Sequence, residues 1–142
     1  MRRAFTLLEL AAVLALIGLL SAAAVPALSR MVNRGRASEA VGIVEAIAHG
    51  ELRHFRDRGR FLACPPTPAA PPAGTTALFD GRGPWQALGV EIVGPVRYSY
   101  AVELVDGSFR VTASGDLDGD GVLGHYALDG RTMLVTEHEP LE

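Results

Sequence analysis

The chain begins with an apolar run that is long enough to cross a lipid bilayer and that holds a single charge. Between Phe5 and Leu28 the residues are mostly aliphatic or alanine, and Glu9 is the one charged residue among them. About 20 helical residues, at a rise of about 1.5 Å each, match the roughly 30 Å hydrocarbon core of a membrane. A carboxylate inside such a segment is costly unless a partner neutralises it. The run therefore predicts a membrane-compatible helix in which Glu9 needs a partner.

The apolar residues that follow this run recur at helical spacing. Steps of three and four residues relate Ala37, Ala40, Val41, Val44, Ile47, Ala48, Leu52 and Phe55. Such spacing places side chains on one face of a helix. We therefore predict one helix from about residue 6 to about residue 58, apolar all round in its first half and amphipathic in its second. Pro26 interrupts the backbone hydrogen bonds, and we expect a bend there rather than an end.

The rest of the chain predicts a small antiparallel sheet. A proline-rich connector, 62–76, is expected to be extended, because proline does not fit a helix or a central strand. After it, alternating runs separated by turn residues form a predicted β-meander over 96–137, with strands at 96–104, 108–114, 125–129 and 132–137. The predicted fold class is α+β, with a long transmembrane-to-amphipathic helix packed on a sheet of three to four strands.

Composition and local motifs give no support to several classes of function. A chain of 142 residues with a net charge of −3 supports one domain plus an appendage, and it lacks the basic patch of a nucleic-acid-binding protein. Cys64 is the single cysteine, so no intramolecular disulfide can form, and we expect it to be buried or merely tolerated. No nucleophile, base or phosphate-loop signature is present, so we do not expect an enzyme. The four histidines, at positions 49, 54, 125 and 138, are predicted to be surface residues.

Four features follow one another at the N-terminus. Arg2 and Arg3 precede a small residue, Ala4, and then come Phe-Thr, two leucines and Glu9, with Pro26 further along. This string resembles the class III leader and first helix of type IV pilins and the related pseudopilins. The family usually has glycine where Ala4 stands. The resemblance covers about the first 30 residues of the chain.

The resemblance implies a processing pathway and an assembly contact. Residues 1–4 would be a leader, removed by a prepilin peptidase between Ala4 and Phe5, and the new amine of Phe5 would be N-methylated. Within one helix, Glu9 is about 6 Å of rise from that amine. In a filament, the amine of a neighbouring subunit could pair with Glu9, and a buried ion pair of this kind would set the stagger between subunits.

The resemblance also implies a place in the cell and a set of partners. Residues 5–29 would span the bacterial inner membrane before assembly and form the filament core afterwards. Residues 30–142, including helix 30–58, would form the globular part of a pilin "ladle" in the periplasm. The expected partners are other pilin subunits, the prepilin peptidase, the inner-membrane assembly platform and the lipid bilayer. No nucleic-acid site is expected.

Several functions stay open at this point. A minor pilin of a type IV pilus is the preferred interpretation, a major pilin is also open, and a type II secretion pseudopilin is the alternative. A third hypothesis is a membrane-anchored calcium-binding or adhesion domain that does not polymerise. Residues 5–25 also admit an uncleaved anchor or an ordinary signal peptide, which would leave a mature chain that starts near Val25.

A second motif lies near the end of the predicted sheet. Asp116, Asp118 and Asp120 alternate ahead of Gly121, which is the D-x-D-x-D-G opening of an EF-hand-type calcium loop. Alternate carboxylates in a tight loop converge on a hard cation, and the carbonyl of Val122 falls where a backbone ligand is expected. The motif predicts calcium as a cofactor.

The calcium motif breaks at its twelfth position. Ala127 stands where an EF-hand loop has its bidentate glutamate, so Asp129 or a distant residue such as Glu103 would have to replace that ligand. The alternative interpretation is a solvated aspartate and glycine turn, shaped by side-chain hydrogen bonds to the backbone. Both interpretations are open from the sequence.

Overall fold

The structure, a computed structural model, describes residues 6–138, apart from the side chains of Pro26 and Arg30. Its elements in chain order are α1 (Leu7–Arg58), β1 (Cys64–Thr67), β2 (Ala77–Leu78), α2 (Pro84–Leu88), β3 (Pro95–Val96), β4 (Ser99–Val105), β5 (Ser108–Gly115), β6 (Gly124–Asp129) and β7 (Leu134–His138). The predicted long helix is confirmed. The chain divides into two compact units, Met1–Val32 and Asn33–Glu142, with the boundary inside α1.

The second unit is built on a five-stranded antiparallel sheet. Its strand order is β1-β4-β5-β6-β7, so β4 to β7 form a meander of hairpins in sequence order. The α+β class and the antiparallel sheet are confirmed. The number of strands is larger than the predicted three or four, because β1 adds an edge. Strands β2 and β3 pair separately as a second, two-stranded sheet.

The additional strand comes from the proline-rich connector. Cys64 and Thr67 of β1 pair with β4, with an irregular register between them. Proline lacks a backbone donor and is tolerated at the edge of a sheet, where one side of the strand has no partner strand. The carbonyl of Pro65 accepts a hydrogen bond from the indole of Trp85 (3.1 Å), and that of Pro68 accepts one from the Ser99 hydroxyl (2.6 Å). These contacts hold the segment against the sheet.

The core forms between the second part of α1 and one face of the large sheet. Ala40, Val44 and Ile47 are fully buried together with alternate residues of β4, β5 and β6. The predicted helical stripe is correct as far as Ala48. Beyond it, the predicted members Leu52 and Phe55 are partly exposed.

Two polar residues occupy the last turns of the buried helix face instead. Glu51 is fully buried and His54 nearly so, and the helical period that buries Ile47 also brings these positions inward. The surface position predicted for His54 is therefore wrong. Its Nδ1 lies 3.4 Å from the carbonyl oxygen of Ala87 in α2, which supplies a polar partner beneath the helix.

Candidate functional site

Helix α1 begins with a reciprocal pair of hydrogen bonds between Thr6 and Glu9. The backbone N–H and the hydroxyl of Thr6 donate to Oε2 of Glu9 at 3.0 and 2.9 Å, and the backbone N–H of Glu9 donates to the Thr6 hydroxyl at 3.2 Å. This is a capping box, which satisfies backbone donors that the first helical turn leaves without partners. The Thr-x-x-Glu spacing of residues 6–9 is the sequence signal for this cap, which the family resemblance does not use. Glu9 thus has a local role within its own chain.

Two of the predicted processing and assembly residues lie outside the residues that the structure describes. Ala4 and Phe5 are outside residues 6–138, so the cleavage site, the N-methylated amine and its pairing with Glu9 stay predictions. Pro26 lies within the span of α1, and the helix backbone continues through it. The bend expected there also stays a prediction.

The first part of α1 carries a long exposed apolar surface. Every side chain described between Thr6 and Val32 is exposed, and Leu7, Leu8 and Leu19 are each more than two-thirds so. Among residues 6–138, α1 is the one helix long and apolar enough to cross a membrane. Contact between so much apolar surface and water is unfavourable. Lipid or protein from outside the chain is needed to cover it.

The aspartate motif forms a cluster in the loop between β5 and β6. One carboxylate oxygen from each of Asp116, Asp118 and Asp120 lies within 4.8 Å of the other two. Asp116 is buried, whereas the other two are exposed. The sequence prediction that these three side chains converge agrees with this geometry. Oxygen ligands at such spacing suit a hard cation such as Ca²⁺.

The same carboxylates also shape the loop. Asp116 accepts hydrogen bonds from the backbone N–H groups of Gly119 (2.6 Å) and Gly121 (3.1 Å), and Asp120 accepts one from Val122 (2.7 Å). Both glycines have positive φ, at 83° and 92°, a conformation that other residues rarely adopt. Hydrogen bonds of this kind are typical of aspartate-containing turns. They place Val122 beside the cluster, and the role of its carbonyl as a ligand stays a prediction.

The loop also rests on the end of the proline-rich segment. The backbone N–H of Gly74 donates to the carbonyl oxygen of Asp116 at 2.9 Å, and Ala73 forms a parallel bridge with the same residue. Gly74 has a φ of 61°, and a Cβ placed on it would meet the backbone of Asp118 at 3.5 Å. The aspartate loop is thus anchored to a segment about 40 residues earlier in the chain.

The two residues proposed to replace the missing EF-hand glutamate are too far away. In the register of the sheet, Glu103 of β4 and Asp129 of β6 are the residues directly opposite Arg110 of β5. The loop follows Gly115, five residues further along β5, or about 17 Å away at the rise of a strand. Neither residue can therefore supply the missing ligand, because the register of the sheet places both at the opposite end of the strands.

A buried carboxyl group lies in the last turns of α1. Oε2 of Glu51 accepts a hydrogen bond from the Leu62 backbone N–H at 3.0 Å, and Oε1 has no hydrogen-bond partner among residues 6–138. Burial raises the pKa of Glu51 to about 7. Burial, with a smaller contribution from the Glu51 charge, raises the pKa of the Cys64 thiol to about 12. Cys64 is therefore a buried, protonated thiol of low reactivity.

Of the predicted site residues that the structure describes, the three aspartates are brought together and Glu9 is joined to Thr6. Comparisons of the chain with protein-family models, with curated proteins and with solved structures find no match. Sequence reasoning missed the buried Glu51. Its signal was the continuation of the helical period past Ala48 onto a charged residue.

Proposed function

We propose that the chain is a structural subunit of a type IV pilin-like filament, with a minor pilin as the preferred form. The observation that carries the proposal is the first part of α1, whose described apolar side chains are all exposed and which holds one carboxylate at its start. A prepilin peptidase would cut between Ala4 and Phe5. Before assembly, the subunit would reside in the inner membrane with its sheet domain in the periplasm. During assembly, its helix would pack among the helices of other subunits. The role is structural and not enzymatic.

The position of Glu9 favours assembly over simple anchoring. A bilayer alone covers the apolar surface, but it leaves a negative charge close to hydrocarbon. The capping box supplies hydrogen bonds to Glu9 without neutralising that charge. In a filament, the Phe5 amine of a neighbour provides the opposite charge, and the pair defines the stagger between subunits. The cap and the charge are two separable properties of one side chain.

Two substitutions at Glu9 separate these properties. Glu9→Gln keeps an oxygen that can accept from the Thr6 N–H, since glutamine serves in capping boxes, but it removes the charge. Glu9→Ala removes both. If the intersubunit ion pair drives assembly, both variants lose filament incorporation to a similar extent, about tenfold or more, as measured by the fraction of chain in sheared filaments.

The matched control is Thr6→Ala, which weakens the cap while the carboxylate stays. It should cost about 1 kcal/mol of helix stability or less and leave incorporation largely intact. Glu9→Gln filaments at the wild-type level, with loss only in Glu9→Ala and Thr6→Ala, would contradict the ion-pair proposal and leave Glu9 as a capping residue alone.

The mature N-terminus distinguishes the classes of protein. Mass spectrometry of the chain from cells should find N-methylated Phe5 for a pilin or pseudopilin. A chain that starts at Met1 would instead indicate an uncleaved anchor, and one that starts near Val25 would indicate a secreted domain.

A type II secretion pseudopilin shares the same cut and the same helix packing. The two alternatives differ in the filament that takes up the subunit. Recovery of the chain in filaments sheared from the cell surface supports the pilus. Retention in the cell envelope, together with loss of a secreted enzyme when the chain is deleted, supports the pseudopilus.

We also propose that the aspartate loop binds Ca²⁺ through Asp116, Asp118 and Asp120, with the Val122 carbonyl as a further ligand. The support is the convergence of three carboxylate oxygens within 4.8 Å. An exported domain meets millimolar-range calcium, where weak extracellular sites of this class fill. Bound calcium would neutralise the carboxylates and fix the loop against the segment at Gly74.

Isosteric amide variants test this calcium site. Asp118→Asn and Asp120→Asn retain an oxygen for the turn hydrogen bonds but lose the charge, and Asp57→Asn on the exposed end of α1 serves as the control. Millimolar calcium should raise the melting midpoint of the full chain in detergent, followed by the fluorescence of Trp85. That rise should disappear in the two loop variants and persist in the control. No rise in the wild-type protein would leave the loop as a turn.

A further inference from the structure

Two exposed histidines meet on the outer face of the large sheet. His125 of β6 and His138 of β7 are direct partners in the antiparallel register, although they are 13 residues apart in the sequence. Residues directly opposite each other on antiparallel strands share a face, and their Cβ atoms lie about 4.5–5.5 Å apart. Both side chains are exposed. The register therefore places two imidazoles side by side in solvent.

A serine on the next strand orients one of these imidazoles. Ser114 of β5 is the direct partner of His125 on its other side, and its Oγ lies 2.9 Å from His125 Nδ1. When Nδ1 carries the proton and donates it to Oγ, the lone pair is on Nε2. Histidine ligands of metal ions commonly have their second ring nitrogen held in this way by an oxygen. Ser114, His125 and His138 thus form one row across three strands.

We propose that His125 and His138 bind a divalent transition metal ion, Zn²⁺ or Cu²⁺, through their imidazole nitrogens, with water completing the coordination. Imidazole is a preferred ligand for both ions. Metal–nitrogen bonds of about 2.0–2.1 Å require the two ligating nitrogens to lie about 3.3 Å apart in tetrahedral geometry, a separation that side chains on neighbouring strands can reach. The site is separate from the aspartate cluster, which offers oxygen ligands only and includes neither histidine.

Such a site would join the last strand to the sheet. Among the strands of residues 6–138, β7 is at one edge of the sheet and pairs with β6 alone. Edge strands have a row of backbone groups without a partner strand and separate more easily than central strands. A metal ion held by one residue from each strand would link β6 to β7 and stabilise the paired state. The inference is independent of filament assembly and of calcium.

Titration of the full chain with zinc or copper tests the proposal. After removal of metals with EDTA, the protein in detergent is titrated with ZnCl₂ or CuCl₂ by isothermal calorimetry at neutral pH. We expect one ion per chain. His125→Ala and His138→Ala should each weaken binding at least tenfold, and Ser114→Ala should weaken it by up to about tenfold, as expected for loss of an orienting partner. Affinity should fall at acidic pH, because a proton competes with the metal ion for the imidazole nitrogen.

Two controls keep the result specific. His49→Ala removes an exposed histidine from α1, and Asp118→Asn alters the aspartate loop; neither should change zinc affinity. Melting curves without metal, read through Trp85, check that the histidine variants fold, and His138→Gln provides a more conservative second variant.

The proposal is overturned if the wild-type chain does not bind zinc or copper, or if His125→Ala binds as tightly as the wild type. It is also overturned if Asp118→Asn weakens binding as much as the histidine variants, since the aspartate loop would then hold the ion. One ion per two chains would instead indicate a bridge between copies and would exclude the intrachain site.

Discussion

The two parts of α1 share one secondary structure and have opposite surroundings. All the described side chains between Thr6 and Val32 are exposed, whereas Ala40, Val44 and Ile47 are fully buried. Ile17 and Ile47 make the contrast concrete, because the same side chain on the same helix is more than half exposed at one position and inaccessible at the other. Helix formation alone does not decide burial. The second part has a sheet to pack on, and the first part needs other molecules.

The carboxylates of the two parts differ in the same way. Glu9 accepts hydrogen bonds from Thr6, three residues before it. Glu39 accepts from the backbone N–H (2.9 Å) and the guanidinium (2.8 Å) of Arg97, which is 58 residues further along the chain. The second part of α1 is thus tied to the sheet by long-range contacts. The first part makes local ones.

The largest expected effect comes from exchanging the two isoleucines for alanine. Ile47→Ala leaves a cavity in the core and should destabilise the sheet domain by about 2–5 kcal/mol. Ile17→Ala should change the unfolding of that domain by less than about 0.5 kcal/mol, because its side chain is more than half exposed and lies outside the core. Urea unfolding of the full chain in detergent measures both, with Trp85, the single tryptophan and a buried one, as the probe.

Similar losses in both isoleucine variants would break the comparison, because they would show that the first part of the helix contributes to the fold of the single chain. In the proposed filament, Ile17→Ala is expected to reduce incorporation, although it leaves the stability of the sheet domain nearly unchanged.

The next largest effect is a pH dependence carried by Glu51. Its pKa is about 7 in the folded chain, against an ordinary value of 4.5. Because the folded chain holds this proton more tightly than the unfolded chain does, the contribution of Glu51 to stability is fully present below about pH 4.5. It is lost as the pH rises through about 7. The free energy of unfolding above pH 8 should be lower than that below pH 4.5 by about 3 kcal/mol. Glu51→Gln should flatten the profile, whereas Glu45→Gln, at an exposed position on the same helix, should not.

A wild-type unfolding profile that is flat or rises between about pH 5 and pH 8 would contradict this assignment. The comparison with Glu51→Gln is the decisive one, because other groups that titrate in this range contribute equally to both proteins.

The smallest effect is expected at the ion pair between α1 and the sheet. Glu39→Gln weakens two hydrogen bonds to Arg97 and should cost about 1 kcal/mol, since the pair is partly solvated. Raising the salt concentration should shrink the difference between wild type and variant. Glu45→Gln again serves as the matched control. Equal stability of the two variants at low salt would show that the link adds nothing.

Much of the fold could be predicted because its signals are local. Period-3.6 and period-2 patterns specified α1 and the strands β4 to β7, and glycine and aspartate marked the turns between them. Strand β1 escaped prediction because its prolines oppose a strand in general, while the edge of this sheet tolerates them. Glu51 and His54 escaped because a sequence pattern favours apolar residues inside, and here backbone atoms of Leu62 and Ala87 provide polar partners.

The candidate sites divide in the same way. The aspartate cluster is contiguous in the sequence and could be predicted from it. The distance of Glu103 and Asp129 from the loop, and the meeting of His125 with His138, depend on which residues face one another across strands. A shift of register by one residue would turn every side chain to the other face.

The amino-acid sequence by itself determined a long helix with an apolar first part, a capped start at Thr6 and Glu9, and an acidic turn, because these properties arise within a few neighbouring residues. Only the tertiary structure decided that Glu51 is enclosed, that the proline-rich segment completes the sheet and anchors the acidic loop, and that two distant histidines lie side by side. These outcomes depend on packing and strand register, which bring together residues that are far apart along the chain.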